Sequence, residues 1–505
     1  MPTAQPPHNV FLALRERLPP DPERTALVFE EESLSFRALV ERSENAARHL
    51  VAIGIGRGDR VAAIAQNRPE MLFLYYAAAR IGAIFVPMNP NLSEPELTYA
   101  FGHSGAKILF HDAASGEGVA AGIAAERRRP IEGLCDAAPG AALPPAEAVG
   151  PGDDFLIIYT SGTTGNPKAI LLDHAAQVAA ARALAGMWDI GPGDTTLVAL
   201  PLGFLYGLST AAAAGLQAGG KVVLLRRFHP RDVLEALVAH GATIFHGVPT
   251  MYSMMLEYCE QQDRHFDLSG VREIICAGAP LPLEMRRRFS ARFGAALQDY
   301  YAMTECTPVF GRYSRDPRPV PEGSAGLAAP GLRYRIVRPD GSDCAPGEQG
   351  EFLVRAAATV KEYFGAPEQT AAAMVDGYFR SGDLGHRDAD GFFFITGRIK
   401  DIIIRGGANI SPSEVEGALI SHQAVQDVSV VGGPDRIFGE VPVAFVIRRA
   451  GSAVSAEALV AHAEARLADF KVPRTVRFID AFPLGKTGKV DKAALKRMLE
   501  SGDDR

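Results

Sequence analysis

At 505 residues the chain is too long for one ordinary core, so two or more domains are expected. Apolar residues make up 47% and charged residues 22%, the balance of a globular protein, and a net charge of −7 without a basic tract argues against a nucleic-acid surface. The five cysteines (Cys135, Cys259, Cys276, Cys306, Cys344) are scattered and outside metal spacing, no apolar run approaches about 18 residues, and the first residues lack a charged-then-apolar pattern. Reduced thiols, a cytoplasmic location, no membrane span and no secretory signal are therefore expected.

Helical periodicity runs over 36–52, a strand follows at 59–65, a helix at 69–82 and a strand at 83–87. The glycines of 54–58 follow a helix and lack the dinucleotide spacing, so they read as a helix-ending turn. Further strands are expected at 107–111, 155–159, 196–200, 221–225, 243–246 and 273–276, and helices at the alanine-rich 175–185 and 210–218. This alternation predicts parallel α/β layers. From about 323 to 397 short strands and Gly, Pro and Asp turns predict a β-rich subdomain. A helix at 412–420, strands at 426–432 and 441–448 and a helix at 456–467 predict a small α+β domain. The fold class is thus α/β: a large N-terminal region over 1–397 and a small mobile α+β domain over 398–505.

The most informative stretch is Thr160-Ser161-Gly162-Thr163-Thr164-Gly165, followed closely by Lys168. Glycines let a turn aim its N–H groups at one point, hydroxyls add donors, and the lysine adds a point charge: a phosphate grip. Its spacing is not that of a Walker loop, and Gly485-Lys486-Thr487 fails the same test because Asp480 replaces the first glycine. The bland alternative is a surface turn. Downstream come a strand-to-helix turn at Gly278-Ala279-Pro280, and Asp299-Tyr300-Tyr301-Ala302-Met303-Thr304-Glu305. Standing alone, Thr304 before an acid would read as a helix N-cap. Asp383 lies in a Ser-Gly-Asp turn, Arg398 follows Gly397, and a Gly406-Gly407 pair precedes a helix. Near the end Lys489 closes a Thr-Gly-Lys turn.

In this order, these motifs resemble those of the adenylate-forming enzymes, a superfamily of acyl-CoA synthetases, peptide-synthetase adenylation domains and luciferases. The resemblance covers nearly the whole chain. It implies an acid–CoA ligase working through an acyl-adenylate, with ATP, Mg²⁺ and CoA as its small molecules. It implies that Lys168, Thr304, Glu305 and Lys489 are catalytic, with Glu305 on the metal. Residues 160–165, 278–280 and 299–304 would line the ATP site. Asp383 would accept from both ribose hydroxyls, Arg398 would add a ribose or phosphate contact, and Lys400 would be the hinge. Gly406 and Gly407 would close the thiol tunnel. The acyl pocket would be lined by Phe204, Leu205, Tyr206, His246, Gly247, Val248, Tyr300 and Ala302.

This chain departs from the family at Ala302, where glycine is usual, and at Tyr300, which is bulkier than common; both should narrow the acyl pocket. Gly203 and Phe204 stand where an aromatic and a histidine are frequent. No Asp follows Phe204 to meet an ammonium, and 246–256 holds no Lys or Arg to meet a second carboxylate. A neutral, apolar alkyl or aromatic monocarboxylate of modest size is therefore expected. Met254 and Met255 read equally as lining or as core. Two rivals stand: a stand-alone enzyme loading a carrier protein, and a non-catalytic nucleotide-binding regulator, against which the joint presence of Lys168, Glu305 and Lys489 argues. A homodimer is compatible with all three.

Overall fold

Two seven-stranded sheets organise the N-terminal region. The computed structural model describes residues 9–18, 20–116, 118–135, 141–160, 167–449, 451–483 and 490–500. The first sheet runs, in spatial order, Leu297–Asp299, Glu273–Cys276, Ile244–Gly247, Thr195–Val198, Lys221–Leu224, Thr25–Phe29 and Glu32–Ser35. Only its last pair is antiparallel. The second runs Glu362–Tyr363, Lys168–Asp173, Asp154–Thr160, Ile84–Met88, Arg60–Ile64, Ile108–His111 and Arg128–Pro130. It is antiparallel at its first two pairings and parallel beyond.

Parallel strands covered by helices on both faces must be apolar throughout. Ile84–Met88 is buried at all five positions, and Arg60–Ile64 at four. Helix Pro69–Ile81 starts with proline at its first turn and stops at Gly82, whose φ of +73° suits glycine. It packs on helix Phe36–Ala52, which is capped by the Ser35 hydroxyl, and both feed the largest core, with Phe36, Phe73, Phe85, Phe110 and Phe155.

The predicted β-rich subdomain is an antiparallel sheet of Arg333–Val337, Gly350–Arg355, Tyr378–Arg387 and Met374–Val375, with Phe393–Arg398 beside Tyr378–Arg387. A second small sheet joins Tyr301–Met303, Cys306–Gly311 and Leu327–Ala328. After the 3-10 turn Ile399–Asp401, the C-terminal part has its own five-stranded sheet and its own core around Ile410, Val415, Val430, Ala444 and Leu459. The region is thus a large mixed α/β body followed by a smaller α+β unit, as the patterning predicts.

One expected helix differs. Residues 210–218 are not uniformly α-helical: Tyr206–Ala213 is a π-helix, and only Ala214–Gln217 is α. Gly207 lies so close to the Pro201 carbonyl that a Cβ could not fit there, and the wider turn carries the backbone through that contact. Among the described residues, no helix is long and apolar enough to cross a membrane.

Candidate active site

The hairpin Asp154–Thr160 and Lys168–Asp173 pairs Thr160 with Lys168, so it holds both ends of the glycine-rich loop. Ser161, Gly162, Thr163, Thr164 and Gly165 lie outside the described residues, as does Lys489. The two-residue strand Glu362–Tyr363 adds to this hairpin, with Tyr363 opposite Ile170. That pairing puts the Lys168 ammonium 4.7 Å from the centroid of the Tyr363 ring. The Tyr363 hydroxyl donates to Glu305 Oε1 at 3.0 Å. Burial first, then the Glu305 charge and this bond, push the phenol well above its ordinary range and keep it a donor. Thr304 and Glu305 themselves form the turn of a hairpin, since Met303 pairs with Cys306. The helix-cap alternative for Thr304 is therefore overturned: no helix begins there.

Asp383 is 3% exposed and sits opposite Arg398 on neighbouring strands. Arg398 Nε lies 2.6 Å from Asp383 Oδ1, and the Tyr301 hydroxyl donates to Asp383 Oδ2. The Tyr301 ring stacks on Phe310 at 5.5 Å and 21°. Burial, then the charge of Asp383, holds the Tyr301 phenol far above its usual range. Each carboxylate oxygen thus already accepts one bond and retains a lone pair for a further donor.

Tyr300 points away from this group. Its backbone N–H donates to the Cys276 carbonyl at 2.9 Å, at the end of the strand that leads into Gly278, whose φ is +89°. Ala279 and Pro280 continue that turn at the surface side of the strand end. Asp299 is half-buried, and burial pushes its carboxyl up to about 6 although Arg286 opposes the shift. Tyr300 is 3% exposed, exchanges a hydrogen bond with the Thr307 hydroxyl at 3.0 Å, and meets Trp188 edge-on at 5.0 Å. Trp188 in turn meets His246 at 5.1 Å, and Tyr206 stands perpendicular to His246 at 5.6 Å. Ala302 borders the same cluster.

The structure separates some expected partners. Leu205 packs into the largest core, while its neighbour Tyr206, the first residue of the π-helix, joins the ring cluster. Phe204 is half-buried, and Val248 packs on the core that contains Tyr252. Gly247 has no room for a side chain, because Tyr252 fills the space its Cβ would need. Met255 is fully buried core, whereas Met254 is 47% exposed. Gly406 and Gly407, with φ of +57° and +89°, form the turn between Ile403–Arg405 and Ala408–Ile410, a geometry that demands glycine-like residues. Lys400 lies in the 3-10 turn directly after Arg398. Ser413 donates to the Thr396 carbonyl at 2.8 Å, tying the start of helix Pro412–Ile420 to the strand that carries Arg398.

Sequence reasoning missed Tyr363 and Trp188. Trp188 is the single tryptophan of the chain, which was a signal; Tyr363 carried none. For a divalent cation, no group of three or more His, Cys, Asp or Glu side chains comes together among the described residues. Glu305 offers one carboxylate, bonded to the tyrosine whose ring faces Lys168, which fits Mg²⁺, an ion commonly bound by one or two carboxylates together with substrate phosphates.

This layered α/β body with a small α+β unit behind it is a known architecture. Residues 14–364 match the family described as AMP-binding enzyme, and residues 414–489 match the AMP-binding enzyme C-terminal domain. The chain belongs to this family, in the acyl-CoA synthetase and adenylation branch of the adenylate-forming superfamily. It is 38% identical to a feruloyl-CoA synthase of Amycolatopsis sp, covering 94% of this chain and 96% of that one. It is 34% identical to an indoleacetate–CoA ligase of Aromatoleum aromaticum, covering 95% and 96%. The crystal structure of ATP-bound MatB from Rhodopseudomonas palustris matches with a TM-score of 0.88 at 30% identity, over 98% of this chain and 99% of that one. The apo form of MatB matches at 0.77.

Proposed function

We propose that the protein is an ATP-dependent carboxylic acid–CoA ligase that forms acyl-CoA, AMP and pyrophosphate through an acyl-adenylate. The observation that carries this reading is the convergence of Lys168, Tyr363 and Glu305 at one end of the Tyr301–Met303 hairpin, and of Tyr301, Asp383 and Arg398 on its neighbour. Cation, carboxylate and diol acceptor come from three different elements, and Tyr363 and Tyr301 bind the two carboxylates. Full-length relatives named as acid–CoA ligases support the same reading.

In the first step a carboxylate oxygen of the acid attacks the α-phosphorus of ATP, and the bond to the bridging oxygen of pyrophosphate breaks. The acid is its own nucleophile, so the protein's task is alignment and charge neutralisation. Asp383 accepts from the ribose hydroxyls, and the Tyr301 ring lies against adenine. Lys168 and the hydroxyls of 161–164 grip the phosphates, and Lys489 spans the carboxylate and α-phosphate. Glu305, oriented by Tyr363, would hold Mg²⁺, which when bound offsets phosphate charge. In the second step the CoA sulfur, its proton lost to solvent, attacks the acyl carbonyl; a C–S bond forms, the bond from the acyl carbon to the phosphate oxygen breaks, and AMP leaves with that electron pair. We place the domain boundary at 397–398 and the swing at Lys400, with Gly406–Gly407 replacing Lys489 beside the adenylate. The higher TM-score against the ATP-bound relative than against its apo form supports an arrangement ready for the first step. The acid is a neutral alkyl or aromatic monocarboxylate of modest size, because 246–256 holds no Lys or Arg to meet a second carboxylate and no Asp follows Phe204 to meet an ammonium.

The test is a screen of short, medium, branched and aromatic acids with ATP, scored for pyrophosphate, AMP and thioester, with CoA or a carrier protein as acceptor. Acid-dependent pyrophosphate with thioester on CoA is expected. Thioester on the carrier alone would transfer the protein to the carrier-loading class, and no acid-dependent pyrophosphate would leave only the regulator.

A further inference from the structure

We propose that His246 selects the acid: its imidazole pairs with a neutral hydroxyl or N–H group on the far end of an aromatic substrate. The proposal rests on the ligase reading above and names its substrate class more narrowly.

His246 lies on strand Ile244–Gly247, opposite Ile275, and is 1% exposed. Neither of its ring nitrogens has a hydrogen-bond partner among the described residues. Buried imidazoles ordinarily find partners, and one without them leaves a donor and an acceptor unmet. Burial alone pushes the ring down to about 3, so it is neutral at working pH and presents one N–H and one lone pair. The neighbouring hydroxyls are turned elsewhere: Tyr300 binds Thr307, and Tyr206 reaches the carbonyls of Gly247 and Ile275, both at 3.4 Å. His246 therefore keeps its donor and acceptor for a ligand, whereas the two tyrosine hydroxyls do not.

The walls define what that ligand is. Trp188, Tyr206 and Tyr300 form a chain of rings beside His246, with centroid separations of 5.0 to 6.4 Å. Such a wall favours a flat ring, which gains edge-to-face partners. The rings themselves are uncharged, and the charge felt by Tyr206 is the Asp299 carboxylate, so a second carboxylate would meet no cation among them. A phenol or an indole N–H satisfies both conditions. A site built around a buried polar group also rejects the analogue that lacks the matching group, because the protein's own group is then left unpaired.

The experiment compares kcat/KM for 4-hydroxycinnamate with cinnamate, 4-hydroxyphenylacetate with phenylacetate, and indole-3-acetate with 1-naphthylacetate, in the wild type, His246→Leu and His246→Gln. The wild type should favour the polar member of at least one pair by about tenfold or more. His246→Leu should remove that preference by lowering only the polar member, and His246→Gln should keep part of it. Wild-type protein with ¹⁵N-labelled histidine covers the case in which the variants do not fold: the polar acid should shift the ring nitrogen resonances of one buried histidine, and its unsubstituted partner should not. Preference for the unsubstituted acids, equal loss for both members in His246→Leu, or unmoved nitrogen resonances would overturn the proposal. Thioester formation from the unsubstituted acids in those cases leaves the ligase reading standing, whereas no thioester from any acid takes both down.

Discussion

The two faces of Tyr300-Tyr301 differ in how their polar groups are met. Tyr301 turns to Asp383 and Arg398, where a buried carboxylate is held by a guanidinium and a phenol. Tyr300 turns to the rings of Trp188 and Tyr206, beside which both nitrogens of His246 are unmet. A nucleotide is the same in every turnover, so its anchor can be assembled in advance and kept rigid. An acid is what a member of this family chooses, and choice is served by a group whose partner only the right substrate brings. Adjacent residues thus serve the constant and the variable halves of one reaction.

The sharpest way to break this contrast is to strip charge from the constant half. Lys489→Ala should cut adenylate formation by about a hundredfold or more, because a charge acting on the developing transition state is lost. Thioester formation from a supplied acyl-adenylate and CoA should survive; equal loss of both half-reactions, measured in single turnover, would remove Lys489 from the first step. Asp383→Asn should come next. Bonds to a charged acceptor are worth roughly 1.5–3 kcal/mol, so ATP affinity measured by titration should fall by one to two orders of magnitude, while the ranking of acids stays put. A changed ranking would mean that the two halves are not separate.

Tyr363→Phe should have a smaller effect. It leaves the ring under Lys168 but deletes the bond to Glu305. A fall of about three- to tenfold in kcat with a raised Mg²⁺ requirement is expected, and an unchanged Mg²⁺ dependence would detach Tyr363 from the metal. The smallest effect concerns stability. The Asp299 carboxyl is raised from its ordinary 3.8 to about 6 in the folded protein. The folded state therefore keeps a proton that the unfolded chain releases, and folding is disfavoured progressively as pH rises from about 4 to about 6. Asp299→Asn should match the wild type below pH 4 and exceed it by about 1–3 kcal/mol above pH 6 in denaturant titrations. A gain that is the same at all pH values would assign the effect to packing instead.

Much of this architecture was legible from periodicity alone. The strands at 60–64 and 84–88 and the helices at 36–52 and 69–81 follow from continuous apolar runs and from Ser35, Pro69 and Gly82 at the ends. Local pattern could not show the π-helical turn at 206–213, nor the approach of the Pro201 carbonyl to Gly207 at its start. It also could not show the turn at Thr304-Glu305, where a cap and a hairpin share the same residues. Tyr363 was invisible because its partners, Lys168 and Glu305, are remote in sequence and meet it only through a two-residue edge strand. His246 could be named as lining, but its lack of partners is a property of three dimensions.

Gly203 limits the routes open to this protein's descendants. A Cβ there would stand 2.5 Å from the Met88 carbonyl oxygen and nearly as close to the Asn89 backbone. An aromatic side chain cannot enter at 203 by a single substitution, because the main chain at the end of Ile84–Met88 would first have to retreat. That strand is buried at every position and paired on both sides, so the retreat would disturb a whole sheet. Changes that reshape the acid pocket should therefore be tolerated at neighbours such as Phe204 and Ala302 before they are tolerated at 203.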